Sequence, residues 1–515
     1  MLQSIALSLL IAVLAILLWR KYANASANVY QSRPLPPGPT PLPVIGNVLD
    51  VPSVTPWKTY AQWADRYGGI VFMRVFGQPI MIINSLEVAV DLLEKRSSNY
   101  SDRLRNPEMI TLMGWDWNTA TMEYGQKWRR HRRSFHQYFN QAAVHAYEPQ
   151  TYKSAQKLLK CLYHDPTHFA HHIRYVLGAN ILSIAYGFEI AEKDDKHIEV
   201  AEMAMHALSE GLIPGTFWVD FLPFLKYIPA WVPGAGFQKK AAEWKESVIA
   251  MKEMPWANAI KDSSSPSVAA RLWEGITHLD GEAFAEEEEI AKNVAGVAYV
   301  GGVDTTVSTL HSFIQAMILY PEVQTRAQAE LARVVGPDRL PEFSDKDSLP
   351  YIGAVCKEAM RWQPVVPLSV AHRCLADDEY KGYSIPEGTL LIQNAWAILH
   401  DPEEYENPEH FVPERFLKDG ELNPEVRDPG VAAFGAGRRI CPGRYFSDLV
   451  LFINVACILH TFDVTPAFDA QGQAIKVEPE MSTGLLSHPL PFKCTIKPRS
   501  YLAETLILGD STVKA

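Results

Sequence analysis

Between residues 50 and 500 the chain lacks any long Gly/Ser linker, fixed-period repeat or low-complexity tract, which excludes solenoid and linker-joined architectures. Length alone, 515 residues, would allow two or more domains, but no composition shift divides them. Positive charge is short: 48 Lys and Arg against 59 Asp and Glu leave a net charge of -11. No global positive field exists to neutralise phosphates, so nucleic acid is excluded as a partner and any basic patch is local. The six cysteines (Cys161, Cys356, Cys374, Cys441, Cys457 and Cys494) lack paired spacing, which excludes a disulfide framework and a zinc site and points to a reducing compartment. What is abundant is apolar: 47% of residues are hydrophobic and 21% charged, enough to bury a large core.

Charge is also missing from the first 19 residues, and Ile5 to Trp19 is nearly all aliphatic. As a helix that stretch spans about 28 Å, enough to cross a bilayer. Arg20 and Lys21 follow, which predicts a membrane anchor over 1–21 with the body on the cytosolic side. Ala23-Asn24-Ala25 resembles a processing site, so a cleaved signal peptide is the rival, although no basic residue precedes the apolar run. Residues 22–47, with Pro34, Pro36, Pro37, Pro39, Pro41 and Pro43, read as a stiff extended hinge, and 48–515 as the body. Asn24 and Asn99 begin glycosylation sequons, which a cytosolic body leaves unmodified.

The body opens with an amphipathic helix, two short strands (Ile70 to Val75, Pro79 to Ile83) and a second helix before residue 95. Helices dominate from there on. The one dense basic segment holds Lys127, Arg129, Arg130, His131, Arg132 and Arg133 among Trp128, Phe135 and Phe139. Such a run is usually a solvated face, but Trp128 and Arg132 lie four apart and share one side of a helix. Residues 262 to 267 read as a loop and Glu286 to Glu289 as the acidic first turn of the next helix. From about Ile290 to Leu319 that helix is apolar on nearly every side and stops at Pro321, so it belongs in the middle of the fold. Gly301 and Gly302 inside it each cost roughly 1 kcal/mol relative to Ala, which implies either close helix packing or close approach of a ligand. Asp304 and Thr305 follow them with an acid and a hydroxyl suited to proton transfer. Glu358 and Arg361 lie three apart on a later helix. If Arg415, in Pro413-Glu414-Arg415-Phe416, folds back on them, removing one member of the buried network costs roughly 3 to 5 kcal/mol.

The chain is organised around Phe434 to Gly443, FGAGRRICPG. Gly435 and Gly437 let the backbone bend and come close to a flat partner. Pro442 suits a first helical position, and Phe446, Leu449, Ile453 and Ala456 recur at helical spacing behind it. A helix N-terminus and Arg439 beside Cys441 would lower the thiol pKa, as a metal-ligating cysteine requires. Inert packing is the bland alternative for a lone Cys. A dinucleotide or phosphate loop is excluded, since the third Gly with its acidic ribose ligand and the Lys-Ser or Lys-Thr pair are all missing.

Taken in order, the anchor, the proline hinge, Trp128 to Arg132, Gly302 to Thr306, Glu358 to Arg361, Pro413 to Phe416 and Phe434 to Gly443 resemble the cytochrome P-450 family over essentially the whole chain. Longer stretches from Pro214 and Gly301 look like its fungal secondary-metabolism and xenobiotic-oxidising branch. The resemblance implies a mainly α fold with small β-sheets, a single large haem domain after the anchor, in the endoplasmic reticulum membrane. It implies haem b (heme), with Cys441 as axial ligand to the iron, Trp128, Arg132, His372 and Arg439 on its carboxylates, and Phe434 and Gly443 framing the ligand loop. His372 equally fits a satisfied core residue. Asp304 and Thr305 would organise proton delivery, and Glu358, Arg361 and Arg415 would brace the Cys441 loop. NADPH and flavins enter indirectly, through a membrane-bound reductase docking near Arg129, Arg130 and Arg133. The same resemblance lines a largely apolar pocket with Asn106 to Thr121, Val300 to Thr305, Val365 to Val370 and Thr483 to Ser487. It implies hydroxylation of a small hydrophobic substrate, aromatic, indole or terpenoid, although Asp116 and Asp304 do not establish an amine. The competing functions are a haem-thiolate isomerase or dehydratase, against which the Asp304–Thr305 pair speaks, and a non-catalytic membrane haem carrier or sensor.

Overall fold

The computed structural model describes residues 33–509 apart from 105–107, 192–194, 212–216, 221, 233 and 262–265. The expected anchor over 1–21 lies outside the described residues, and among these no helix is long and apolar enough to cross a membrane. The helices that position the site are α1 (Gln126–Phe139), α2 (Phe169–Tyr186), α3 (Lys196–Gly211), α4 (Gly236–Lys261), α5 (Gly281–Leu319), α6 (Pro350–Trp362) and α7 (Arg444–Thr461). α5 is the axis: nearly every residue from Ile290 to Ile318 is buried, which is why its sequence is apolar on all sides. It starts at Gly281, earlier than its apolar part suggests. Glu286 to Glu289 therefore lie beyond the first turn and serve as ion-pair partners rather than as charges on the helix dipole.

Beside the helical core lies a four-stranded sheet of β1 (Ile70–Val75), β2 (Gln78–Ile83), β3 (His372–Arg373) and β4 (Leu390–Gln393), in the order β1-β2-β4-β3. β1 and β2 form a hairpin whose turn residues Phe76 and Gly77 both have positive φ, as a tight two-residue turn between twisted strands demands. β2 runs parallel to β4, and β3 pairs antiparallel to it, which sets His372 opposite Leu391 on the inner side of the sheet. The second helix expected before residue 95 is broken: Leu86–Ala89 passes into a wider turn at Val90–Lys95 and then Ser97–Tyr100. The described part of the proline-rich segment is docked on the body. The Phe72 N–H donates to the Pro37 carbonyl at 2.8 Å, and the Ser384 N–H to that of Pro34 at 2.9 Å.

Candidate functional site

All six cysteines are free, and Cys441 differs from the three buried ones in keeping accessible surface. Its loop is fixed at three points. The Cys441 N–H donates to the Phe434 carbonyl at 2.8 Å. Arg132 of α1 donates to the Ile440 carbonyl. Gly437, at φ +59, brings its Cα so close to residue 93 that a Cβ there would sit 1.9 Å from the Leu93 carbonyl oxygen. The glycine is thus required by a backbone approach within the protein. Gly443 caps α7, which begins at Arg444, so Pro442 precedes the helix instead of opening it. Burial pushes the Cys441 thiol up, while the Gly443 N–H, Arg132 and Arg444 pull it down without reversing the net rise. This corrects the sequence expectation. Arg439 is not among the cations acting on the sulfur, because its guanidinium turns away to the carbonyls of Ser101 (2.8 Å), Thr119 (3.2 Å) and Met122 (2.8 Å). A thiolate here needs a metal to hold it, and binding one releases a proton.

Arg439 belongs to a buried group of cations. It stacks on Trp128 at 4.3 Å, and burial pushes it down to about 10. Arg103, which the sequence reading missed, is buried beside it and donates to the carbonyls of Ala120, Val370 and Ala371 at 2.6–2.8 Å. Burial and the charge of Arg439 push Arg103 well down. A guanidinium stays charged at any working pH, so these shifts describe a positive field buried without an equal negative one. The imidazole of His372 lies in the same place, with Nδ1 donating to the Tyr100 carbonyl at 2.7 Å. Burial and then Arg103 push its pKa well down, so the neutral ring offers Nε2 as an acceptor and gives a carboxylate a donor only if a proton arrives with it. Trp128, Arg132, His372, Arg439 and Arg103 therefore come together next to Cys441. Two guanidiniums resting on carbonyls fit the two carboxylates of a haem, because a charged acceptor binds them more strongly than a neutral one does. Arg103 carried no sequence signal, since it sits in an aperiodic segment between Tyr100 and helix Glu108–Leu112.

The Glu358–Arg361–Arg415 network forms as read. Arg361 holds Glu358 with two bonds of 2.7 and 2.8 Å, both side chains being fully buried, and Arg415 reaches Glu358 at 3.3 Å. Its further bonds run to the Leu399, Glu406 and His410 carbonyls and from the Val412 N–H, so it ties α6 to residues 399–415. The Cys441 loop is braced instead from residue 93 and α1.

α5 divides its two glycines between the two readings. A Cβ on Gly302 would meet Ile181 of α2 at 2.6 Å, which is helix packing, whereas one on Gly301 would meet nothing within 4 Å. Thr305, one turn on, faces the same open side and donates its hydroxyl to the Gly301 carbonyl at 2.8 Å. Asp304 points elsewhere. Its carboxylate receives Arg174 at 2.6 Å and His488 at 3.2 Å. Burial pushes the Asp304 pKa up, but the hydrogen bond and charge of His488 and then Arg174 outweigh it and bring the group down to about 2. Asp304 lies on the wall of a cavity of about 520 Å³ with Arg174, Glu202, His206, Glu210 and His488. This cavity is more polar than the expected pocket, because α3 lines it and had not been counted. Three of the expected pocket segments do meet: Asp304 lines this cavity with Thr483 and Leu486, and the Ser487 N–H donates to the Val365 carbonyl at 2.8 Å. Of the fourth, residues 106 and 107 lie outside the described residues.

α1 presents three faces. Trp128 and Arg132 look toward Cys441, while His131 bonds Asn293 of α5 at 3.1 Å. Lys127, Arg129 and Arg133 are exposed, but Arg130 is taken by Glu286 and, at 2.7 Å, Glu287. Arg438, exposed and bonded to the Tyr124 hydroxyl at 2.7 Å, extends the exposed basic face instead.

Comparison with known proteins agrees with this geometry. The cytochrome P450 family model matches residues 36–496. The chain is similar to Cytochrome P450 monooxygenase COX2 of Coprinopsis cinerea, 42% identical over 92% of this chain and 90% of the relative. It is 43% identical to Cytochrome P450 monooxygenase COX1 of the same fungus, over 91% and 92%. It is 41% identical to Tryptamine 4-monooxygenase of Psilocybe cyanescens, over 93% and 95%. A thiol-bearing loop beside buried guanidiniums thus fits the haem b of an oxidoreductase, and the chain is a member of the cytochrome P450 monooxygenase family.

Proposed function

We propose that the protein hydroxylates a small hydrophobic substrate, using dioxygen and electrons drawn from NADPH through a flavin-bearing reductase. The observation that carries this reading is Cys441, fixed at Phe434, Arg132 and Leu93, with cations grouped beside it. When bound there, haem iron backed by a cysteine thiolate supplies dioxygen activation. Cys441 would ligate the iron, and Arg103, Arg132, Arg439 and Trp128 would hold the haem carboxylates, with His372 contributing if protonated. Phe434 and Gly443 set the loop, one through its carbonyl and the other through the N–H that steadies the sulfur. Thr305 hands a proton onward from its open side of α5. Asp304, a carboxylate while it is paired with Arg174 and His488, takes a proton from water once it leaves them and passes that proton to Thr305. The test is the ferrous carbon monoxide spectrum of the full-length protein: a red-shifted band is expected, and it disappears in Cys441→Ser. Its absence from freshly made, haem-replete protein would sink the reading.

The substrate class is aromatic, indole or terpenoid, supported by Met205 and Leu486 in the cavity and by the tryptamine named for one relative. Binding difference spectra with a panel of the three skeletons, then product analysis with reductase present, decide among them. The reductase docks on Arg129, Arg133 and Arg438. Reversing these charges should slow haem reduction and leave the carbon monoxide spectrum intact. Residues 1–21 anchor the chain in the endoplasmic reticulum membrane. An exposed apolar surface supports this orientation. Leu42 and Val44 continue through Phe76, whose ring meets Trp218 at 5.6 Å, to Phe224, Tyr227 and Trp231. Such aromatic and aliphatic exposure suits a bilayer surface.

A further inference from the structure

Asp102 is almost fully buried and precedes Arg103 in the chain. Its Oδ1 accepts the Tyr124 N–H at 2.8 Å, on the turn that leads into α1 and Trp128. Its own carbonyl accepts the Arg373 N–H at 2.9 Å, which pins it to β3 beside His372, and its Oδ2 lies 3.5 Å from the Arg373 guanidinium. Three separate chain segments carrying Arg103, Trp128 and His372 are thereby joined at one residue. The Asp102 carboxylate is also the negative charge whose field reaches both Arg103 and Arg439. A carboxylate that merely capped a turn would not need to lie inside a cluster of cations, where an asparagine would make the same hydrogen bond.

We propose that Asp102 is a positioning residue for the cofactor: it fixes Arg103, Trp128 and His372 relative to one another and offsets part of their buried positive charge, thereby setting the potential of the iron. The assignment rests on the reading of this cluster as the haem carboxylate site. The cluster needs net positive charge to hold two carboxylates, yet buried guanidiniums without any anion would oppose folding before haem arrives. One fixed internal carboxylate reconciles the two. Its charge also acts at the iron, since a negative group in a low-dielectric interior disfavours the addition of an electron nearby.

The test uses the haem-loaded, full-length protein and two readouts other than turnover: the ferric/ferrous midpoint potential, and the rate of haem transfer to excess apomyoglobin. Asp102→Asn keeps an acceptor for the Tyr124 N–H and removes the charge. The midpoint is expected to rise, with the haem transfer rate within roughly twofold of the parent, since the hydrogen bond is retained. Asp102→Ala removes both, and haem transfer is expected to quicken by roughly fivefold or more, the scale of one unsatisfied buried donor. Arg439→Gln is the control of opposite sign, because loss of a positive charge lowers the midpoint. If Arg439→Gln lowers it and Asp102→Asn leaves it unchanged or lowers it too, the role given to Asp102 is overturned. If Arg439→Gln moves neither readout, the cluster itself is misread. Should Asp102→Ala not fold, the near-isosteric Asn variant alone decides.

Discussion

Two buried arginine clusters occur in this molecule, and they solve the same electrostatic problem in different ways. In one, Arg361 and Arg415 share the carboxylate of Glu358, at bidentate distances from Arg361, and backbone groups satisfy much of the rest. In the other, Arg103 and Arg439 rest on six backbone carbonyls, with Asp102 the nearby anion. In the first cluster both guanidiniums bond the carboxylate directly, and the group works as a brace. In the second the bonds go to neutral carbonyls and the carboxylate acts only through its field, so the charge is left for an anionic ligand to meet. An arginine's role is therefore read from what lies opposite its guanidinium, since burial alone does not distinguish a strut from a binding site.

The widest separation between the clusters is expected from Glu358→Gln, which leaves two buried guanidiniums sharing a neutral amide. It should cost roughly 3 to 5 kcal/mol with or without haem. Denaturant unfolding of both forms checks this, and a loss seen only in the haem-bound form would reverse the assignment. Arg439→Gln should do the converse: stability of the haem-free chain should change by less than about 1 kcal/mol, while haem loss quickens roughly tenfold. Asp304→Asn tests a third pairing, that of Arg174 and His488 with one carboxylate. The folded value of about 2 lies below the roughly 3.9 of an unfolded aspartate, so the pairing stabilises the protein above about pH 4, and this is lost as pH falls toward 2. Removing it should cost on the order of 2 kcal/mol at neutral pH and flatten the acid limb of the stability profile. The smallest structural effect belongs to Thr305→Ala. Its hydroxyl bonds only within its own helix, so stability should change by under about 1 kcal/mol. Reducing equivalents should nevertheless go to hydrogen peroxide instead of product, measured as peroxide formed per NADPH consumed.

The two clusters also differ in how far they could be read before the structure. Glu358 and Arg361 stand three apart on a helix, and a proline-flanked Arg415 follows, so local periodicity exposes the brace. Arg103 and Asp102 sit in an irregular segment where no period operates, and their meaning appears only when β3 and α1 come alongside. α5 was legible as the central helix, because burial on all sides leaves an apolar pattern that only a core helix tolerates. Its start was not, since the turns before Ile290 are half exposed and their acids answer to Arg130 and Lys252 on other elements. The orientation of Asp304 was hidden for a similar reason. Arg174 and His488 lie 130 and 184 residues away, and neither belongs to a motif. Spacing suggested that Arg439 sits against the sulfur, but sequence neighbours in a tight turn can face opposite ways.

The contact of Gly437 with the Leu93 carbonyl has a bearing on biosynthesis. A ribosome makes residue 93 early and residue 437 very late, and domains fold as the chain emerges. The seat of the iron is therefore finished only when a nearly complete polypeptide closes back on its own beginning. Haem cannot act as an early nucleus for this protein, and shortened chains that stop before the loop should emerge colourless however well their helices pack.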